Sequence, residues 1–194
     1  MALVKFDASS EQYKFLQDIL ENAEQILKEY EENKHKLNIV ETDHCLGWWV
    51  SVPYRFGISE DSKYTPTLEG ILNSKQLTTV MISDVHSNLP QGIHAEELPE
   101  GIRRFHVPIK YNPNARLNVL ENGNWESYEW SPDNVFEFEN FYDQHFISCP
   151  KGGNRIVIMV DIFDKMVSPK ILSEAEQWYT NWEQAVKYHK VNID

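Results

Sequence analysis

Apolar residues near the start of the chain recur at helical spacing. Leu16, Ile19, Leu20, Ala23, Ile26, Leu27 and Tyr30 fall at i, i+3 and i+4, which makes one stripe of an amphipathic helix. The spacing predicts a long helix over 9–33, opened by Ser9 or Ser10 as N-cap, with a Glu- and Lys-rich face left to water and the stripe packed on the outside of a sheet. From about 36 the period shortens to two. LNIVE and LGWWVSV read as strands, and Trp48 and Trp49 fall on opposite faces of the second. A polar loop over 59–67 and a turn or two of helix over 68–74 follow. Strands are then expected over 76–83 and from Ile93 onward, after the turn chemistry of Asn88-Leu89-Pro90-Gln91-Gly92. Another runs over 102–110, with Arg104, His106 and Pro108 on one face and Arg103, Phe105 and Val107 on the other. Segments 115–121 and 125–130 flank Asn122-Gly123, the strongest short hairpin signal. Segments 135–138 and 155–162 add further strands. Ser173 and Glu176 form a capping box that opens a C-terminal helix over 173–188.

Many short strands flanked by helices imply a small closed or two-sheet β architecture. At 194 residues the chain is one domain (1–194), with a β core over about 36–163. Apolar content of 41% and aromatic content of 12% are globular values. The formal charge of −12 and pI near 5.0 argue against nucleic acid as a partner, because a basic face is its usual footprint. With no apolar run near twenty residues and no basic-then-apolar start, no membrane segment is expected, and the expected location is cytoplasmic. Cys45 and Cys149 are too few for a disulfide framework, and Cys149 reads as a small buried residue.

The candidate chemistry lies between Ser83 and Asp161. His94-Ala95-Glu96 puts an imidazole and a carboxylate at i, i+2, on one face of a strand. His145 follows at a distance. Two histidines and a carboxylate are the facial triad of non-haem Fe(II) oxygenases. A Gly152-centred turn would pair His145 with Met159 across a hairpin and bring Arg155 to the face of His145, roughly 13 Å along at strand rise. That reach suits a guanidinium gripping the far carboxylate of a five-carbon diacid chelated to the metal. Glu97 has the wrong parity for the triad. Glu137, Glu139 and Asp143 are read as solvated loop and edge charges, and His44 and His86 as loop histidines.

On Ser83, His94, the Arg104-Phe105-His106-Val107-Pro108-Ile109 stretch, and His145 followed ten residues on by Arg155, the central 80 or so residues resemble the aspartyl/asparaginyl β-hydroxylase family of 2-oxoglutarate- and Fe(II)-dependent dioxygenases. The resemblance implies a double-stranded β-helix (a jelly roll, cupin-like) with flanking N- and C-terminal helices. It implies that His94 and His145 bind iron, that Arg155 holds the distal carboxylate of 2-oxoglutarate, and that Ser83, Arg104 and His106 line the co-substrate or substrate pocket. Glu96 either completes the triad or points away and leaves a two-histidine site. Arg103 competes with Arg104 for its role, and Arg103, Arg104 and Arg55 are each candidates for a substrate carboxylate.

The resulting expectation is a dioxygenase that hydroxylates an amino acid, free or peptidyl, with release of succinate and CO2. The near absence of sequence beyond the core tilts this toward a free amino acid or small metabolite. The alternative of a different class is a catalytically silent jelly-roll binding or assembly module. A cupin isomerase or zinc hydrolase ranks last, since it gives Arg155 no role.

Overall fold

The structure is a computed structural model and describes residues 13–37, 40–41, 46–50, 63–72, 77–85, 93, 102–131, 135–138, 144–149 and 154–163. The expected cap at Ser9 or Ser10 and the helix over 173–188 lie outside them.

The amphipathic segment forms two helices, α1 (Lys14–Glu21) and α2 (Ala23–Asn33), in place of one. The break is at Asn22, where φ is −106° and ψ 13°. The Asn22 side chain donates to the Asp18 carbonyl at 2.8 Å. Such local bonding by asparagine competes with helix continuation. A third helix, α3 (Pro66–Leu72), starts with proline in its first turn, where the missing N–H is harmless. The Glu29 carboxylate of α2 accepts from the Thr67 N–H at 3.0 Å, which satisfies an otherwise orphan donor at the start of α3.

Among the described residues the strands are β1 (Val40–Glu41), β2 (Leu46–Val50), β3 (Leu77–Val85), β4 (Ile102–Lys110), β5 (Arg116–Glu121), β6 (Asn124–Glu129), β7 (Phe136–Phe138), β8 (His145–Ser148) and β9 (Arg155–Phe163). They form a six-stranded sheet in the order β1-β2-β3-β9-β4-β7 and a three-stranded sheet in the order β6-β5-β8, with every pairing antiparallel. The chain changes sheet from β4 to β5, from β6 to β7, from β7 to β8 and from β8 to β9. This alternation makes the fold a double-stranded β-helix, or jelly roll, with N-terminal helices on the outer face of the large sheet.

The β5–β6 hairpin turns at Asn122 (φ 50°) and Gly123 (φ 81°). Two successive positive φ values are what a type I′ turn requires. The hairpin expected between His145 and Met159 does not form. His145 pairs with Val119 of β5, and Met159 lies between Met81 of β3 and His106 of β4. A Gly-rich connection sets a chain reversal but does not decide whether the flanking strands bond to each other, and here each finds partners in a different sheet.

Strand β9 is apolar on both faces because it is covered on both. Ile156, Ile158, Val160 and Ile162 pack with Val80, Ile82, Phe105 and Val107 beneath Phe15, Leu16, Ile19 and Ile26 of the helices. Val157 and Met159 face the other way, into a second core with Leu117, Val119, Trp130, Phe136 and Ile147 between the sheets. The helical face also buries ionic groups. Glu137, expected as a solvated edge charge, is fully buried and paired with Arg103, which also donates to the Tyr13 hydroxyl. Its counter-charge sits on the neighbouring strand, where the β4–β7 pairing brings it.

Tyr30 of α2 donates to the buried Asp84 of β3 at 3.1 Å, and Asn154 donates to its other oxygen at 3.2 Å. Burial, and next the Asp84 carboxylate, push the Tyr30 phenol far above its ordinary value, so it remains an O–H donor. Tyr30→Phe leaves this carboxylate one donor short and should destabilise the fold by about 1–3 kcal/mol. Urea unfolding checks this, and a change below about 0.3 kcal/mol would remove the bond from the account of how the helices dock.

Candidate functional site between the sheets

The alternation of β3, β4 and β9 divides their side chains between the helical face and the inner face. Arg155, Val157, Met159 and Asp161 of β9, Arg104 and His106 of β4, and Ser83 of β3 share the inner face, as the register Ser83↔Val157, Arg104↔Asp161 and His106↔Met159 requires. From the small sheet, His145 has the parity of Ile147 and Cys149, which lie in the inner core. His145 and Arg155 therefore face the same interior from opposing sheets, not from one hairpin.

Both are out of water: His145 is 5% exposed and Arg155 1%. The Arg155 guanidinium carbon lies over the Trp130 ring, 4.2 Å from its centroid. Cation–π contact of this kind is worth about 2 kcal/mol when desolvated. On its other contacts the Trp130 indole is equally fixed. It stacks on His106 with centroids 6.0 Å apart and planes 10° apart, and meets Phe136 edge-on at 4.7 Å. Cys149 is buried, and Asn112 Nδ2 donates to its sulfur at 3.1 Å. Burial pushes the Cys149 thiol up; the Arg155 charge and the Asn112 amide only partly offset it. The thiol stays protonated and is a poor nucleophile. His145 is four residues from Cys149 on the same face, roughly 13 Å at strand rise.

The two arginines of β4 divide cleanly. Arg103 points to the helical face and Glu137, which removes it as a competitor for the interior. Arg104 lies inside, buried, and holds Asp161 through Nε at 2.6 Å and a terminal nitrogen at 2.8 Å. This is a bidentate fork, so a ligand carboxylate at Arg104 must compete with Asp161. Ser83 is half-buried on the same inner face. His94 and Glu96 lie outside the described residues, as do Arg55, His44 and His86. Among the described residues no group of three His, Cys, Asp or Glu side chains is placed to hold a metal.

These residues fit an organic anion. The interior holds a buried guanidinium, and beside it the Trp130 Nε1 has no hydrogen-bond partner among the described residues. Toward a metal the described residues contribute His145, whose neutral imidazole is a competent donor. The sequence reading missed Trp130 and Asp161. Asp161 had a signal, since a lone charge in an apolar run that is buried on both faces demands a counter-charge. Trp130 had little, because the strand before it is exposed along most of its length.

No family model matches the chain, and no curated protein matches it. Solved structures of similar shape include an oxidoreductase of the 2OG-Fe(II) oxygenase family from Burkholderia pseudomallei. It is 8% identical, with 85% of this chain and 96% of that one covered and a TM-score of 0.49. A Pseudomonas putida prolyl-4-hydroxylase is 8% identical over 79% of this chain and 99% of its own, with a TM-score of 0.49. A Lactobacillus farciminis oxalate decarboxylase is 12% identical over 69% of this chain, which spans 32% of that protein, with a TM-score of 0.42. The jelly-roll assignment rests on this chain's own strand order and register. Among the described residues no helix is long and apolar enough to cross a membrane.

Proposed function

We propose that this protein is a 2-oxoglutarate- and Fe(II)-dependent oxygenase that hydroxylates an amino acid, free or peptidyl, with release of succinate and CO2. The observation that carries the reading is the placement of Arg155. A fully buried arginine faces the interior of the jelly roll, ten residues after a buried histidine that faces the same interior from the opposite sheet. Guanidinium cannot lose its proton, and its planar fork matches a carboxylate. In this reading Arg155 binds the distal carboxylate of 2-oxoglutarate. His145, with His94 and Glu96, holds the iron.

Bound iron supplies the activation of oxygen that side chains cannot perform. The chain's own residues bind, orient and exclude water. Trp130, Met159 and Val157 keep the interior apolar around the ligand, which strengthens the attraction of Arg155 for an anion. Asp161 holds Arg104 in place toward the other end of β9, six residues and roughly 20 Å at strand rise from Arg155.

The deciding experiment is an anaerobic Fe(II) titration of the purified protein with and without 2-oxoglutarate. A visible metal-to-ligand charge-transfer band is expected only when both are present. Its absence from a well-folded protein sinks the oxygenase reading and leaves a jelly-roll binding module.

A further inference from the structure

Arg155 is the first residue of β9, and its backbone has fewer neighbours than the middle of that strand. Among the described residues the β3–β9 ladder ends at Val85↔Arg155. The β4–β9 ladder stops one residue short of it, at Lys110↔Ile156, beside a register shift between Pro108 and Lys110. Strand ends open more readily than strand middles. In the sequence Gly152 and Gly153 precede this end and bring no side chain that could pack. Asn154 is therefore the first side chain upstream of Arg155 that can anchor it. Its amide donates to Asp84 Oδ1 at 3.2 Å. Asp84 lies opposite Ile156, so this bond runs diagonally from β9 to β3. Tyr30 of α2 donates to Asp84 Oδ2 at 3.1 Å. Asp84 is 2% exposed and Tyr30 fully buried. Helix α2, strand β3 and the start of β9 are thus tied at one buried carboxylate on the helical face. One residue later Arg155 leaves the backbone toward the interior.

We propose that Asn154 is a positioning residue for Arg155: anchored through Asp84 to β3 and α2, it fixes the backbone from which the guanidinium reaches into the interior. The inference rests on the reading of Arg155 as the anion-binding residue. A bidentate contact tolerates little misplacement, because both of its bonds depend on one plane. A ligand-holding side chain is precise only when the shell around it fixes it. Along the middle of β9 the two flanking ladders supply that shell. At Arg155 one ladder has stopped and the other is ending, so a side-chain anchor takes over. Trp130 braces the guanidinium at its tip, and Asn154 secures its root. Aspartate at position 84 suits the task, since its two oxygens accept from two separate elements. Asparagine there would offer one accepting oxygen.

The test is a double-mutant cycle on the full chain, read by anaerobic calorimetry with Fe(II) and with 2-oxoglutarate. Asn154→Ala should bind 2-oxoglutarate about tenfold more weakly. That is the low end of the roughly ten- to hundredfold loss usual when the hydrogen-bonded support of a metal-holding side chain is removed. Fe(II) affinity should not change, because His145 stands on β8, in the other sheet. In an Arg155→Ala background the same substitution should have no further effect, since Asn154 then has no guanidinium to position. A merely structural role would cost the same factor in both backgrounds. Asn154→Ser, whose hydroxyl is too short to reach Asp84, serves if Asn154→Ala does not fold. Two results overturn the proposal alone: the Asn154 variant binds 2-oxoglutarate as tightly as the parent, or the loss is equal with and without Arg155. If the parent fails to bind 2-oxoglutarate, or Arg155→Ala binds it like the parent, the reading of Arg155 falls, and this proposal falls with it.

Discussion

Arg155→Ala should weaken 2-oxoglutarate binding a hundredfold or more while Fe(II) binding persists, and His145→Ala should abolish Fe(II) binding. The split follows from where the two side chains sit. They enter the interior from different sheets, His145 on β8 and Arg155 on β9. Removing one partner of a buried, hydrogen-bonded charge pair costs roughly 2–5 kcal/mol, which is about thirtyfold to several-thousandfold in affinity. Arg155 is 1% exposed, so water cannot take over the role of the lost guanidinium. Arg155→Lys keeps the charge but loses the planar fork, and it should fall between parent and alanine. Anaerobic calorimetry with each ligand, beside a melting curve for each variant, reads the split. Unchanged 2-oxoglutarate affinity in a folded Arg155→Ala protein would remove this arginine from the site. Equal loss of both ligands would mean that the interior had collapsed instead.

Alternation is why much of the fold and part of the site were legible in the sequence. Period two assigned Arg104 and His106 to one face of β4 and Arg103 and Phe105 to the other, and the structure separates them in that way. Asn122-Gly123 fixed a hairpin because its backbone demand is local and chemical. What local signals do not carry is the choice of sheet. Nothing in the sequence around His145 and Arg155 says that β8 bonds to β5 while β9 lies between β3 and β4, since that depends on long-range closure. The burial of Glu137 was hidden for the same reason. Its partner Arg103 is 34 residues away, and only the β4–β7 pairing joins them. Asn22 shows the opposite limit. An unbroken apolar stripe does not reveal that the backbone leaves helical geometry at Asn22, whose side chain shares the Asp18 carbonyl with its own N–H.

Arg104→Ala is the variant expected to harm folding most. Its guanidinium and the Asp161 carboxylate are both buried, directly opposite each other on β4 and β9, and joined by two hydrogen bonds at 2.6 and 2.8 Å. Truncating one partner strands the other charge in a medium that solvates it poorly, and such losses run about 3–5 kcal/mol. That is a large part of the 5–15 kcal/mol by which a typical domain is folded. Replacing both partners by apolar residues of similar volume, Arg104→Met with Asp161→Leu, should recover most of the loss, because the penalty comes from the unpaired charge and not from the missing attraction. Urea unfolding of the two singles and the double forms a closed cycle, and near-additive losses would show that the pair does not act as a unit. The double variant also separates structure from chemistry. If Arg104 only braces the interior, a folded double variant should bind 2-oxoglutarate like the parent. If its fork also receives a ligand carboxylate in competition with Asp161, the double variant should fold yet bind that ligand more weakly.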